Sequence, residues 1–254
     1  MSPVDPLVRA VLFDLDDTLV PQRQWLDGAW DAVATAAERL GADRSALRQA
    51  LADEAAAGSA RGQLIDRAVA RVHPGLAVEP LVAAFVAYRR PVLTPYPGAA
   101  SVLARCRERA GVAVVTDGRP EIQRAKLRAA GLDGHVDVVV CSDDLGRAHR
   151  KPDPLPFRTA LDQLGAEPGN AAFVGDRPET DMVGARRLGI FAVRVHSGEY
   201  ARRPDVVPPD ARCATLAEVA AVLDPLLSGR ASSARAPGAE PVAAGGAGSE
   251  SGRP

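Results

Sequence analysis

Short, valine-rich apolar runs alternate along most of this chain with longer segments of helical periodicity, and this alternation constrains the fold more than any other feature. The runs lack the polar alternation of half-exposed strands, so we predict strands that are buried on both faces. Strands that alternate with helices are typical of a doubly wound α/β fold, in which helices cover both faces of a parallel sheet. The predicted strands cover residues 8–15, 112–115, 136–140, 171–174 and 191–195, and the predicted helices cover residues 98–110, 120–130, 154–164, 179–188 and 216–227.

One stretch directly after the first strand interrupts this alternation. It holds four segments of helical periodicity, at residues 25–40, 45–57, 63–72 and 79–90, and no strand candidate. We therefore predict an inserted helical domain at residues 21–91 within a core domain formed by residues 1–20 and 92–227. Residues 228–254 are rich in Ala, Gly, Ser and Pro, and we expect them to be disordered because they offer little apolar surface to bury.

Composition excludes several classes of function. The net charge of -1 and the aromatic content of 4% do not favour a nucleic-acid partner or an acidic membrane surface. No run reaches the roughly 18 apolar residues that span a bilayer, and the first residues lack a signal-peptide core. The three cysteines form no CxxC pair. We expect a reduced, cytoplasmic protein with no membrane partner, whose oligomeric state the sequence does not indicate.

Carboxylates follow three of the predicted strands. Asp14 lies at the end of the first strand and Asp16 directly follows it, and Asp117 and Asp176 come after two later ones. The carboxyl ends of parallel strands meet at the edge where such sheets bind ligands. Asp14 and Asp16 would repel each other unless a cation lay between them, and oxygen ligands suit Mg2+. Taken alone, however, this pair could equally be an acidic turn that caps a helix.

Four motifs in a fixed order resemble those of the haloacid dehalogenase (HAD) superfamily over roughly residues 9–225. They are Asp14-Leu15-Asp16-Asp17-Thr18, the stretch Val-Val-Thr-Asp-Gly at 114–118, Lys151, and Gly175-Asp176 followed by Asp181. Each motif alone is weak evidence, but the ordered set is specific. The resemblance implies a Rossmann-like, HAD-like core and identifies the helical insert as a C1 cap.

The resemblance also implies a role for each matched residue in phosphoryl transfer through an aspartyl-phosphate. Asp14 would be the nucleophile, and Asp16 would first be the general acid and then the general base. Thr116, Asp117 and Lys151 would bind the phosphoryl group. Asp14, the backbone carbonyl of Asp16, and Asp176 would hold Mg2+, with Asp181 in support.

Four side chains carry separate expectations. Asp117 stands where the superfamily often has Asn, so we expect its carboxylate to turn away or to pair with Arg119. The chain has only two lysines: a functional role is expected for Lys151, whereas Lys126 lies mid-helix and is expected to be solvated. Trp25 and Trp30 are expected to pack between the insert and the core.

Two features of the sequence favour one of the activities known in the superfamily over the others. Dehalogenases lack an aspartate two residues after the nucleophile, so Asp16 favours phosphoryl transfer. Phosphonate-cleaving members need a lysine in the cap, and residues 22–90 contain none. We expect a Mg2+-dependent phosphatase whose partner is a small phosphorylated molecule such as a sugar phosphate or nucleotide. A phosphomutase and a non-catalytic binding module remain open as alternatives.

Overall fold

The core of the protein is one six-stranded sheet in which all strands run parallel, in the order β3-β2-β1-β4-β5-β6. The computed structural model describes residues 8–228, so the predicted disorder after Ser228 lies outside the described residues. The strands are β1 Ala10–Phe13, β2 Gly111–Thr116, β3 Val138–Cys141, β4 Ala171–Gly175, β5 Phe191–Val195 and β6 Ala211–Cys213. This topology confirms the predicted Rossmann-like α/β fold.

The central strand β1 shows why the sheet is covered on both faces. All four of its residues are fully buried. Val11 and Phe13 pack into the apolar cluster on one face, and Ala10 and Leu12 pack into the cluster on the other face. Successive side chains of a strand point to opposite faces, so a strand with no polar residue needs a helical layer on each side.

The core helices form those two layers. They are α5 Ala99–Arg107, α6 Pro120–Ala129, α7 Leu155–Leu164, α8 Val183–Leu188 and α9 Leu216–Leu227. The predicted helix at 179–188 instead begins with a π-helical turn at Pro178–Met182, and α8 follows it. The three-residue strand β6 was not predicted, because Ala-Arg-Cys is too short and too polar to give an apolar run.

The helical insert lies between β1 and β2. Its helices are α1 Gln22–Glu38, α2 Arg44–Ala56, α3 Leu64–Val72 and α4 Glu79–Ala87. They bury an apolar cluster of their own, which includes Trp30, Val33, Leu47, Leu51 and Leu81. A cluster of its own is what a separate domain needs. Across residues 8–228, no helix is both long enough and apolar enough to cross a membrane.

The register of the sheet determines which residues meet at its carboxyl edge. Phe13, at the end of β1, lies beside Val114 of β2 on one side and Val174 of β4 on the other. The residues just beyond these positions therefore share one edge, even though more than 150 positions of sequence separate Asp14 from Asp176.

Candidate active site

Asp14 and Lys151 form a buried ion pair at the carboxyl edge of the sheet. Lys151 Nζ donates to Asp14 Oδ1 at 2.6 Å and to the backbone carbonyl of Val115 at 3.2 Å. It also lies 2.7 Å from Asp181 Oδ1. The side chains of Asp14, Lys151 and Asp181 are at most 5% exposed. One ammonium thus bridges the predicted nucleophile and the predicted supporting carboxylate.

Asp176 lies beside this pair, at the end of β4. The hydroxyl of Thr18 donates to Asp176 Oδ1 at 3.3 Å, while the buried Oδ2 has no hydrogen-bond partner among the described residues. Oxygens of Asp14, Asp176 and Asp181 lie within 4.8 Å of one another. An unpaired buried oxygen next to two more carboxylates fits a hard divalent cation such as Mg2+.

Three buried carboxylates share one ammonium, and the pKa values of Asp14 and Asp176 reflect both their burial and this excess of negative charge. Burial raises the pKa of Asp14 to about 7, outweighing the lowering effect of Lys151, and Asp181 adds to the rise. Burial, with the charges of Asp181 and Asp14, also raises the pKa of Asp176. Although burial alone would lower the pKa of Lys151, the charges of Asp14 and Asp181 raise it. A bound cation would relieve the repulsion that remains.

The carboxylate of Asp17, in the turn after β1, joins two other parts of the chain. Asp17 has a φ of 59°, a left-handed conformation that Asp tolerates better than most residues. Its carboxylate accepts backbone N–H groups from Gln22 at 2.9 Å and from Glu199 at 3.2 Å. Asp17 therefore anchors the start of the helical insert to the loop after β5, apart from the carboxylate cluster.

Thr116 and Asp117 lie at the end of β2, where the resemblance predicts a phosphoryl group to bind. The expected alternative of a pair with Arg119 was wrong: Asp117 Oδ1 accepts the backbone N–H of Lys151 at 3.1 Å, and Arg119 lies near Glu121 instead, at 3.5 Å. One carboxylate oxygen of Asp117 therefore contacts the segment that carries Lys151.

The carboxylate of Asp16 is bound by two side chains of helix α6. Lys126 Nζ donates to both of its oxygens, at 2.7 and 2.6 Å, and the amide of Gln123 donates to Oδ2 at 2.9 Å. The prediction that Lys126 is solvated was wrong, since its side chain is only 5% exposed. A signal for this role was present in the sequence, because Lys126 shares with Lys151 the rarity of lysine in this chain.

Two adjoining cavities open at this edge of the sheet. A polar cavity of about 50 Å³ contains Asp14, Thr116, Lys151 and Asp176 in its wall. A larger cavity of about 720 Å³ lies between the insert and the core. Asp16, Gln22 and Asp117 line both.

The larger cavity has an apolar wall and a charged wall. Trp25, Trp30 and Phe85 of the insert face it on one side, and Lys126 and Arg150 of the core border it on the other. Both tryptophans are buried, but only Trp25 packs between the insert and the core as expected. Trp25 packs into the cluster that covers the sheet, whereas Trp30 packs within the insert.

The structure thus brings together Asp14, Lys151, Asp176 and Asp181, and it places Thr116, Asp117 and Asp16 on the wall of the same small cavity. No separate role was predicted for Thr18, Gln123 or Lys126. Thr18 was visible as part of the first motif. Gln123 and Lys126 are three residues apart on one face of a predicted helix. That spacing indicates that they can bind the same group, but it does not identify the group as Asp16.

Comparison with known proteins agrees with this geometry. A family model described as haloacid dehalogenase-like hydrolase matches residues 8–189. A glyceraldehyde 3-phosphate phosphatase of Methanopyrus kandleri is 32% identical over 215 residues, which are 80% of this chain and 91% of the relative. A phosphoserine phosphatase of Thermus thermophilus is 43% identical over 125 residues, so the match spans about half of either protein, 49% of each.

Solved structures share the fold. The crystal structure of a HAD phosphatase from Thermococcus onnurineus superposes with a TM-score of 0.60 at 26% identity, covering 85% of this chain and 98% of that one. The structures that match also include 2-haloacid dehalogenases. The family match over most of the chain, the shared fold and the carboxylate edge lead to one conclusion. This chain belongs to the haloacid dehalogenase-like hydrolases.

Proposed function

We propose that this protein is a Mg2+-dependent phosphatase that hydrolyses a small organic phosphomonoester through an aspartyl-phosphate on Asp14. The observation that carries the proposal is the difference between the surroundings of two carboxylates. Asp14 is buried against Lys151, whereas Asp16 lies on the wall of the larger cavity with a separate lysine. A nucleophile and an acid/base group need such different environments.

In the first step, a carboxylate oxygen of Asp14 attacks phosphorus and the bond to the leaving oxygen breaks. Lys151 already binds Oδ1, which leaves Oδ2 as the attacking atom. Asp16 enters this step protonated, gives its proton to the leaving alcohol oxygen, and becomes the carboxylate that Lys126 contacts. In the second step, Asp16 takes a proton from water as that water attacks phosphorus, and inorganic phosphate and free Asp14 result.

The groups around the phosphoryl position bind charge and orient the transfer. Lys151 offsets negative charge, and the Thr116 hydroxyl is available to a phosphoryl oxygen from the end of β2. Asp14, Asp176 and the Asp16 carbonyl would hold Mg2+, with Asp181 supporting Lys151. When bound, the metal would neutralise charge that builds up on the transferring group.

The helical insert limits the size of the substrate. Its side chains form one wall of the 720 Å³ cavity next to Asp16. We propose that residues 21–91 act as a cap whose cavity encloses the leaving group and keeps bulk water from the reacting atoms. A phosphorylated metabolite fits a space of this size, which lies within the usual range for small-molecule sites.

Release of inorganic phosphate tests the proposal. The panel contains phosphoserine and glyceraldehyde 3-phosphate, on which the relatives are named to act, together with ribose 5-phosphate and uridine monophosphate. We expect Mg2+-dependent release from at least one compound and a loss of about 10³-fold or more in Asp14→Asn, as for removal of other catalytic nucleophiles.

The matched control is Asp162→Asn, which removes a carboxylate from the exposed face of α7. Release that survives Asp14→Asn would contradict the nucleophile assignment. No release from any compound would contradict the phosphatase reading, and transfer between sugar positions that needs a sugar bisphosphate would indicate a phosphomutase instead.

A further inference from the structure

We propose that Lys126 and Gln123 of helix α6 are positioning residues for the Asp16 carboxylate, holding it in one orientation toward the leaving-group oxygen. This inference rests on the proposed phosphatase function. Neither residue belongs to the four motifs that the superfamily resemblance supplied, and Lys126 was expected to be solvated.

The contacts to Asp16 are short and converge from one element. Lys126 Nζ lies 2.7 Å from Oδ1 and 2.6 Å from Oδ2, so one ammonium contacts both carboxylate oxygens. Gln123 Nε2 lies 2.9 Å from Oδ2. Three donor contacts on a side chain with few rotatable bonds leave it little freedom to turn.

Helix α6 is suited to this task because of where it begins. It starts at Pro120, four residues after the end of β2, and its residues 123 and 126 lie on the same face. Gln123 also contacts the Thr116 hydroxyl at 2.6 Å. The same helix face therefore fixes Asp16 relative to the residue that is proposed to bind the phosphoryl group.

The surroundings favour a lysine that stays in place. The side chains of Lys126 and Asp16 are 5% and 17% exposed, so the pair is shielded from solvent on most sides. Lys126 Nζ lies 5.9 Å from the centre of the Trp25 ring, which belongs to the first helix of the insert. An ammonium between an aromatic face and a carboxylate is held by both.

The two lysines of the chain thus have parallel positions. Lys151 pairs with Asp14 and Lys126 pairs with Asp16. All other basic side chains except the histidines are arginines. A compact ammonium can touch two oxygens of one carboxylate from a single point, whereas a planar guanidinium needs more room and a fixed approach.

Orientation matters for Asp16 because it acts twice. It must face the leaving oxygen when it donates a proton and the incoming water when it accepts one. Misplacement of a reacting group by about 1 Å can cost roughly 10²-fold in rate. The competing reading is that Lys126 binds an anionic group of the substrate directly, since it also borders the larger cavity.

Leaving-group dependence separates the two readings. Release of the leaving group in a single turnover, which precedes hydrolysis of the aspartyl-phosphate, is measured for Lys126→Met and wild type. The substrates are the best alkyl phosphate of the panel and p-nitrophenyl phosphate, whose leaving group departs without a proton. A misplaced acid should lower the single-turnover rate of leaving-group release by about 10²-fold or more on the alkyl phosphate and by less than about tenfold on the aryl phosphate, because general acid catalysis contributes about 10²–10⁴-fold. KM should change little.

Two further variants control the comparison. Arg124→Met removes a cation from the exposed side of the same helix and should leave both rates unchanged. Lys126→Arg keeps the charge and should recover part of the loss on the alkyl phosphate. Thermal unfolding of each variant shows whether it is folded, and Lys126→Arg carries the test if Lys126→Met is not.

An equal loss of the single-turnover rate on both substrates, or a rise in KM with that rate unchanged, would overturn the inference. Either result requires an active wild type, so it would leave the phosphatase proposal standing. Absence of phosphate release by the wild type would count against both.

Discussion

Removing Lys151 tests the electrostatic account of the carboxylate edge most directly. Lys151→Met keeps most of the volume of the side chain and removes its charge. Asp14, Asp176 and Asp181 would then share a buried space without an ammonium within hydrogen-bond distance. Breaking a buried ion pair from one side costs about 3–5 kcal/mol, because an uncompensated charge stays behind.

The expected fall in the midpoint of thermal unfolding follows from the size of the protein. For a chain of this length each kcal/mol lowers the midpoint of thermal unfolding by about 2–4 °C, so the variant should melt about 6–20 °C below wild type. Arg158→Met is the matched control, since it removes a cation from the exposed face of α7. A surface change of this kind should stay within about 0.5 kcal/mol.

A double variant shows whether carboxylate repulsion is the cause. Asp14→Asn removes one of the three charges, so Lys151→Met should destabilise the protein less in that background. For residues in direct contact we expect a coupling of about 0.5–3 kcal/mol, measured by urea or thermal unfolding without Mg2+. Additive effects of the two changes, or a Lys151→Met midpoint equal to that of the control, would refute the reasoning.

Two further predictions concern the same carboxylates. Because the folded-state pKa of Asp14 is raised to about 7 from 3.8, and that of Asp176 is also raised, deprotonating them costs stability as pH rises through this range. Mg2+ would bind the deprotonated forms, so calorimetry should show a larger Mg2+-induced rise in midpoint at pH 8 than at pH 5; an equal rise at both would contradict the metal assignment. Gly175→Ala would place a Cβ 2.4 Å from Asp181 Oδ2, so it should lower the free energy of unfolding by about 1–3 kcal/mol and also lower phosphate release. Gly134→Ala is the control, since its Cβ would meet nothing within 4 Å, and it should change neither. Normal activity and stability of Gly175→Ala would show that Asp181 can move at no cost.

The surroundings of Asp16 show what the sequence motifs can and cannot predict. The motifs led from Asp16 to its predicted role, but they gave no partner for its side chain. Lys126 was expected in solvent because a lone lysine in the middle of an amphipathic helix usually points outward. Its contact with Asp16 spans 110 positions of sequence. No local pattern reports a pairing of that separation.

The partner of Asp117 could not be predicted from the sequence either, although a candidate lay only two residues away. Its neighbour in sequence, Arg119, was the natural candidate for a charge partner. The backbone N–H of Lys151 took that place because the turn after β2 and the segment around Lys151 meet at the sheet edge. The choice between two plausible partners depended on tertiary packing, which the sequence near Asp117 does not encode.

By itself, the sequence determined the order of five of the six strands and of the core helices, the presence of a helical insert and the placement of carboxylates at strand ends. These follow from apolar periodicity and from the rule that parallel strands end at one edge. Only the tertiary structure decided which lysine meets which aspartate, which oxygen of Asp176 stays unpaired and which insert residues face the core. Those outcomes depend on the register between β1, β2 and β4 and on the packing of α6 and α1 over that edge, where contacts join residues far apart in the chain.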